Sequence, residues 1–283
     1  MDNGNKIANS EIERLKSFGF HDWKIDQNGV RIRDLDRSDK VSFPIQAYEK
    51  APLSRNDFWS RHRVEVVADK MKKLQRKVIW EIGGGDGRMS IPLSSLGIGV
   101  ISIEPYYEGC FKVAAAKIPV FRGTLEDLEL PSNSVETIGF FDVLEHIENE
   151  SDFLSNIRLT LQSSGMAILT VPAHQWLFSS HDEALGHYRR YHRRALVKIL
   201  EQSGFRVLSC EYLFSFLVLP ALLLRRVPYI LGAKKTADDT LADAESVLRL
   251  PKFLDLFLSF TCKMERKLKL PFGLSLIAVV QKD

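Results

Sequence analysis

The sequence has 283 residues, of which 45% are hydrophobic and 27% are charged, and its formal net charge is +3 at pH 7. These values exclude a largely disordered, collagen-like or coiled-coil protein, and so small a charge gives no indication of a nucleic-acid partner. The three cysteines (Cys110, Cys210 and Cys262) lie far apart, which argues against a disulfide scaffold or a structural zinc site and suits a reducing cytosol.

Three zones differ in character along the chain. Residues 1–75 are mixed and polar, and we predict an N-terminal extension or cap without an apolar secretory leader. Residues 76–210 alternate short apolar runs with helix-like segments and are predicted to form the core. Residues 211–283 are predicted to complete the same domain with an apolar helical insert and a final strand. A cytoplasmic location is therefore expected.

The apolar runs predict seven strands, over residues 78–82, 99–103, 119–121, 136–141, 165–171, 205–208 and 274–280. Continuously apolar runs are typical of strands that are buried on both faces of a parallel sheet. The spacing between most of the runs leaves room for crossover helices. The fold class is therefore predicted to be α/β, with a doubly wound sheet.

A glycine-rich turn follows the first of these strands. Glycines at 83, 85 and 87 permit a close approach of the backbone to a ligand, and Glu81 precedes them by two residues. The next strand ends at Glu104, where a carboxylate can accept hydrogen bonds from two ribose hydroxyls. Arg88 occupies the final position of a dinucleotide-binding GxGxxG motif, so that motif does not match. The alternative is a tight glycine turn without a ligand.

The segment 78–88 resembles the first motif of class I S-adenosylmethionine-dependent methyltransferases, in the broad group related to the quinone-biosynthesis enzymes. Segments 123–131, 140–146 and 165–172 resemble later motifs of that family, and the final strand resembles its antiparallel seventh strand. The resemblance implies S-adenosylmethionine as cofactor and S-adenosylhomocysteine as product. The cofactor-binding residues it implies are Glu81, Gly83, Gly84, Gly85, Gly87, Glu104, Pro105, Thr124, Leu125, Glu126, Phe141, Asp142 and Arg63.

One position departs from the family pattern. Many relatives carry an aspartate that binds the adenine amino group where this sequence has Thr124. A threonine hydroxyl can still accept a hydrogen bond, and the backbone groups of Leu125 and Glu126 can supply other contacts. The side-chain contact to adenine is therefore the weaker part of the resemblance.

The catalytic candidates follow the fourth and fifth strands. His146, close behind Asp142, has an ordinary pKa near neutrality and is a candidate base, although a first-turn structural role is the alternative. The loop after the fifth strand matches an SxHDExxGHxRRY pattern that recurs in related bacterial methyltransferases, and it adds His181, His187 and Tyr188. A metal site at His181, Asp182 and His187 fits no established spacing, so no metal is predicted.

The segment 57–63 resembles the part of related enzymes that closes over the methionine end of the cofactor. Arg61 or Arg63 is expected to pair with the cofactor carboxylate. An ordinary amphipathic helix face is the alternative.

Together these features predict a methyltransferase that acts at oxygen or carbon of a small or lipid-linked acceptor. A noncatalytic cofactor-binding or scaffold protein is the first alternative. A nucleic-acid methyltransferase is less favoured, because residues 141–144 (FDVL) do not form an Asn-Pro-Pro-Tyr-like motif.

Two segments, 213–224 and 253–260, are far more apolar than a surface helix needs, and the first is too short to span a bilayer. We expect residues 211–270 to contact a membrane surface, to line a tunnel for a hydrophobic acceptor, or to form a homodimer; burial against the sheet is the alternative. The nearby cations are Lys234, Lys235, Arg249, Lys252, Lys263, Arg266, Lys267 and Lys269.

Overall fold

The computed structural model describes residues 2–20, 23–32, 43, 57–233 and 251–283. Its strands are β1 Lys24–Ile25, β2 Val30–Ile32, β3 Val78–Ile82, β4 Gly99–Glu104, β5 Val120–Arg122, β6 Val135–Phe141, β7 Leu161–Pro172, β8 Phe205–Leu213 and β9 Ser275–Lys282. They form one sheet in the order β1-β2-β5-β4-β3-β6-β7-β9-β8. Strands β2 to β7 pair in parallel, whereas β9 lies antiparallel between β7 and β8.

The helices are α1 Asp2–Lys16, α2 Phe58–Lys73, α3 Ser90–Ser95, α4 Tyr107–Ala115, α5 Leu125–Leu128, α6 Glu150–Thr160, α7 Ser180–Ala184, α8 Arg193–Gln202, α9 Val218–Ala221, α10 Val227–Ile230 and α11 Lys252–Leu268. A π-helical segment, Leu222–Arg226, joins α9 to α10. Helix α2 begins at Phe58 because the Asp57 carboxylate accepts a hydrogen bond from the Ser60 amide at 2.9 Å.

The α/β fold with an antiparallel last strand is confirmed, but the predicted strand number of seven is wrong. The described residues contain nine strands, because β1 and β2 form an antiparallel hairpin that adds β2 to the edge of β5. The hairpin strands have two and three residues, so neither is long enough for a periodic apolar pattern.

The centre of the sheet is buried on both faces, as the continuous apolar runs predict. Every residue of β4 is buried, and two clusters of apolar side chains cover the two faces of the sheet. The parallel strands β3, β4, β5 and β6 all end at one edge of the sheet. Ligands of open α/β sheets bind at this carboxyl edge, so the functional site is expected there.

No helix in the described part of the chain is long and apolar enough to cross a membrane. The predicted contact region 211–270 is only partly described: Lys234, Lys235 and Arg249 lie outside the described residues. The division of the chain at residues 75 and 210 stays a prediction.

Candidate active site

The glycine turn after β3 adopts backbone conformations that favour glycine. Gly83, Gly85 and Gly87 have φ angles of 70°, 56° and 84°, in the left-handed region that side chains rarely occupy. A Cβ atom on Gly83 would lie 2.6 Å from Cγ2 of Val143. The glycine turn therefore packs directly against the segment that follows β6.

Glu104 joins the end of β4 to the glycine turn. Its Oε2 accepts a hydrogen bond from the Gly85 amide at 2.8 Å, and its Oε1 accepts one from the Tyr106 amide at 2.9 Å. A Cβ atom on Gly109 would lie 2.6 Å from the Gly85 carbonyl oxygen, so α4 also approaches the turn closely. These two amides hold the carboxylate at the end of β4, where a carboxylate can accept hydrogen bonds from ribose hydroxyls.

Glu81 lies beneath the turn and is only 2% exposed. Burial raises the pKa of this carboxyl to about 8, although a hydrogen bond from the Ser90 hydroxyl and the positive charge of Arg63 both lower it. A positively charged ligand above the turn would favour its ionised form.

Asp142 begins the segment after β6 and is bound to Arg63 of α2. The Arg63 Nη1 lies 2.7 Å from Asp142 Oδ2, and Arg63 Nη2 donates to the Thr170 hydroxyl at 2.7 Å. Thr170 in turn donates to Asp142 Oδ1 at 2.9 Å. Arg61 points elsewhere, because it pairs with Asp255 in α11. Of the two predicted arginines, only Arg63 lies at the carboxyl edge.

Two histidines that are 41 positions apart in the sequence meet beside this segment. The ring centroids of His146 and His187 are 4.7 Å apart and the rings are nearly perpendicular. Burial, with a smaller contribution from the neighbouring His187, lowers the pKa of His146 to about 3. His146 is therefore an uncharged imidazole at neutral pH.

His187 is oriented by a buried carboxylate. Its Nδ1 lies 2.9 Å from Asp182 Oδ1, which also accepts a hydrogen bond from Arg190 Nε at 2.7 Å. Burial acts to raise the pKa of Asp182, but the hydrogen bond from His187 and the charge of Arg190 outweigh it and hold that pKa below its ordinary value. Since an ionised carboxylate only accepts hydrogen bonds, Nδ1 of His187 carries the proton and Nε2 can accept one.

Glu145 completes this cluster. It is fully buried, and within the described contacts neither carboxyl oxygen has a hydrogen-bond partner. Burial raises the pKa of Glu145 well above its ordinary value, and the negative charge of Asp142 adds to this effect. Glu145, His146 and His187 each bring one ligand atom to within 4.8 Å of the others. Neutral imidazoles and a carboxylate can hold a divalent cation, so these three residues, rather than the set His181, Asp182 and His187, are where a metal would bind.

Phe43 from the N-terminal zone reaches across the carboxyl edge. Its backbone carbonyl accepts a hydrogen bond from the Tyr106 hydroxyl at 2.8 Å, and its ring packs edge-on against His146 with centroids 5.5 Å apart. Phe43 thus links the end of β4 to the histidine pair. We infer that it covers the ligand cleft.

The remaining predicted residues occupy varied positions. Thr124 caps α5, and its hydroxyl exchanges hydrogen bonds with Asp127. Phe141 and Leu125 are buried, Pro105 is half-buried and Glu126 is exposed. Tyr188 is 47% exposed, and its amide donates to the Glu145 carbonyl at 2.8 Å. Burial lowers the pKa of His181 to about 3.

The sequence places Glu145 at the carboxyl edge, directly before His146, but gives it no role. It does not assign Phe43, Tyr106 or Thr170 to the site. Thr170 lies in the motif-like segment 165–172, but its contact with Asp142, like that of Phe43 with Tyr106, joins segments that are distant in the sequence. Asp182 was considered only as a metal ligand, whereas the structure shows it as the partner of His187.

Comparison with known proteins identifies similarities that agree with this geometry. A family model described as a methyltransferase domain matches residues 57–210. A protein of Mycolicibacterium smegmatis, described as a probable S-adenosylmethionine-dependent methyltransferase, is 26% identical over 62% of this chain and 70% of its own length. A ubiquinone biosynthesis O-methyltransferase of Rickettsia conorii is 27% identical over 42% of this chain. The matched part is 44% of the Rickettsia protein.

A solved structure from Thermotoga maritima, described as an S-adenosylmethionine-dependent methyltransferase and possible histamine N-methyltransferase, has a similar fold. The TM-score is 0.51 and the identity is 15%, with 79% of this chain and 91% of that chain covered. At this identity the similarity supports the fold alone.

Proposed function

The chain belongs to the methyltransferase-domain family and is an S-adenosylmethionine-dependent methyltransferase, as its sequence predicts, and from this premise we propose that it methylates a hydroxyl oxygen of a small or lipid-linked acceptor. The observation that carries the proposal is the Asp182–His187 pair beside His146 at the carboxyl edge of the sheet. A hydroxyl needs a base when it attacks a methyl group. The relative named as an O-methyltransferase supports the same choice of atom.

The residues at the carboxyl edge fit the cofactor. When bound, S-adenosylmethionine supplies a methyl group on a sulfonium ion and leaves as S-adenosylhomocysteine. We assign the ribose to Glu104, whose carboxylate is held by the Gly85 amide, and the adenosine and methionine portions to the turn 83–87. The fit rests on two carboxyls at that turn: Glu104 lies at the end of β4, and the buried Glu81 lies beneath the turn, where the positive charge of the cofactor would favour its ionised form.

Residues of the chain itself accept the proton of the acceptor hydroxyl. As the acceptor oxygen takes the methyl group and the methyl–sulfur bond breaks, Nε2 of His187 would accept the hydroxyl proton, while Asp182 holds Nδ1–H and would stabilise the imidazolium that results. His146 and Glu145 border the same space, and burial, which lowers the pKa of His146 and raises the pKa of Glu145, favours the uncharged form of both. Phe43 and the loop after β7 would limit the access of water.

The reaction can be tested with cofactor that carries a labelled methyl group. The purified protein is incubated with that cofactor and a cell extract, and the label is then followed into small-molecule, lipid, protein and nucleic-acid fractions. We expect label in the small-molecule or lipid fraction, released as methyl iodide by hydriodic acid because that acid cleaves methyl ethers. Label that resists the acid would indicate carbon methylation, and label in nucleic acid would contradict the acceptor class. Cofactor binding without transfer would favour a scaffold role.

A further inference from the structure

The inner side of helix α11 is attached to the rest of the protein by charged and by apolar groups. Asp255 pairs with Arg61 and accepts a hydrogen bond from the Phe58 amide at 2.9 Å. Near the other end of the helix, Arg266 pairs with residues of α2. Leu258 and Cys262 pack against the apolar cluster on this face of the sheet. These contacts fix which side of α11 faces away from the protein.

The apolar side of α11 faces outward. Its large apolar side chains recur at the three- and four-residue spacing of one helix face. Their exposed fractions are 76% for Phe253, 72% for Leu256, 59% for Phe257, 60% for Phe260, 40% for Met264 and 61% for Leu268. Three exposed phenylalanines on one helix are unusual for a surface that faces water, and they indicate an interaction surface.

The charges on the outer side of α11 are all positive. Lys252, Lys263 and Lys267 are exposed, and Lys269 follows the helix. The only acids between residues 251 and 272 are Asp255 and Glu265, and both are turned towards the protein. The outer face therefore combines apolar side chains with cations and carries no exposed acid.

A second apolar segment is connected to the same unit. Glu265 of α11 accepts hydrogen bonds from the amides of Phe214 and Ser215 at 2.8 and 2.6 Å, so it fixes the start of the segment 215–231. That segment contains no acidic residue, and it contains Arg225 and Arg226. Its exposed apolar side chains are Leu219, Leu223, Leu224, Val227, Ile230 and Leu231.

We propose that the outer face of α11, together with the segment 215–231, binds to the surface of an anionic lipid bilayer. Apolar side chains would enter the boundary between headgroups and acyl chains, and the lysines would contact lipid phosphates. A second copy of the chain suits this face poorly. A two-fold interface brings the same patch of both copies together, and here it would place cations against cations.

Vesicle flotation tests the proposal with the full chain. The protein is mixed with vesicles of phosphatidylcholine that contain about one-quarter phosphatidylglycerol, or with phosphatidylcholine alone, at low and high salt. We expect flotation with the anionic vesicles at low salt and a large reduction at high salt. Absence of flotation with anionic vesicles at low salt would overturn the proposal.

The variants replace exposed side chains, so the fold should be retained. Phe257→Glu combined with Phe260→Glu should reduce vesicle binding by at least about tenfold, because charged groups resist entry into hydrocarbon. Lys263→Glu combined with Lys267→Glu should reduce binding to the anionic vesicles and should leave any binding to phosphatidylcholine alone unchanged. Leu159→Glu, at a position 55% exposed in α6, is the matched control and should bind as the parent protein does.

Sedimentation of the same proteins without vesicles tests whether a second copy of the chain binds this face instead. A monomeric parent protein that floats with anionic vesicles supports the proposal. A dimer that Phe257→Glu with Phe260→Glu dissociates, in a protein that does not float, would assign the face to a second copy and overturn it.

Discussion

Nδ1 of His187 lies 2.9 Å from Oδ1 of Asp182, and this contact sets which nitrogen of the ring is available to an acceptor. Asp182 is completely buried and remains ionised, because hydrogen bonds from His187 and Arg190 compensate for its burial. A carboxylate that only accepts hydrogen bonds leaves Nε2 of His187 as the proton acceptor. The pair therefore has the arrangement of a general base.

We expect His187→Ala to lower kcat by about 100-fold or more, the usual contribution of a general base. The affinity for S-adenosylhomocysteine should change little, because we assign His187 to the proton of the acceptor and not to the cofactor. Turnover of labelled methyl groups and calorimetry measure the two quantities. Glu201→Ala, at an exposed position in α8, is the control. Full activity of His187→Ala would remove this residue from the reaction.

Cofactor binding should release a proton near pH 7. Burial raises the pKa of Glu81 to about 8 in the free protein, so the carboxyl is mostly protonated at that pH. The positive charge of the bound cofactor favours the ionised form, lowers this pKa and displaces the proton. Calorimetry with S-adenosylmethionine in two buffers of different ionisation enthalpy measures the release, and Glu81→Gln should abolish it. Identical heats in both buffers would contradict the assignment.

The protein should lose stability as the pH falls below about 6.5. Burial lowers the pKa of His62 to about 4, and its folded-state value therefore lies below the unfolded value of about 6.5. Between these values the unfolded chain takes up a proton that the folded chain does not. The free energy of unfolding consequently falls with falling pH, by at most about 1.4 kcal/mol per pH unit for this group.

Urea denaturation at several pH values checks the contribution of His62. His62→Gln should make the dependence of the unfolding free energy on pH shallower between about pH 6.5 and pH 4. An unchanged slope would show that His62 titrates normally in the folded protein.

Chelation should leave turnover unchanged. We assign the proton to the His187–Asp182 pair, so the reaction needs no metal ion at the cluster of Glu145, His146 and His187. Activity is compared before and after treatment with EDTA, and after addition of Mg²⁺ or Zn²⁺. Loss of turnover that a divalent ion restores would show that the cluster is a metal site.

The central strands were predictable because burial on both faces leaves a clear pattern. The predicted range 78–82 is β3 itself, and 99–103 falls one residue short of β4. The hairpin of β1 and β2 was missed because it has only five strand residues, and Ile25 is 62% exposed. Short exposed strands depend on pairing with a neighbour rather than on their own pattern.

The sequence predicts the parts of the site that lie in one motif or at the ends of adjacent strands, but it does not predict the contacts between distant segments. The glycine turn and Glu104 lie at the ends of adjacent strands, so the fold class alone brings them together. The meeting of His146 with His187 depends on the path of the loop after β7, and Phe43 reaches the site by contacts with Tyr106 and His146. No residue spacing in the sequence encodes those paths.

Glu104 is the residue that we assign to the ribose of the cofactor. Calorimetry with S-adenosylhomocysteine tests this position most directly, with Glu104→Ala as the variant and Glu108→Ala, an exposed position in α4, as the matched control. We predict that Glu104→Ala weakens binding by about 1–3 kcal/mol through the loss of charge-assisted hydrogen bonds, and that Glu108→Ala has no effect. An unchanged Kd for Glu104→Ala would contradict the assigned site.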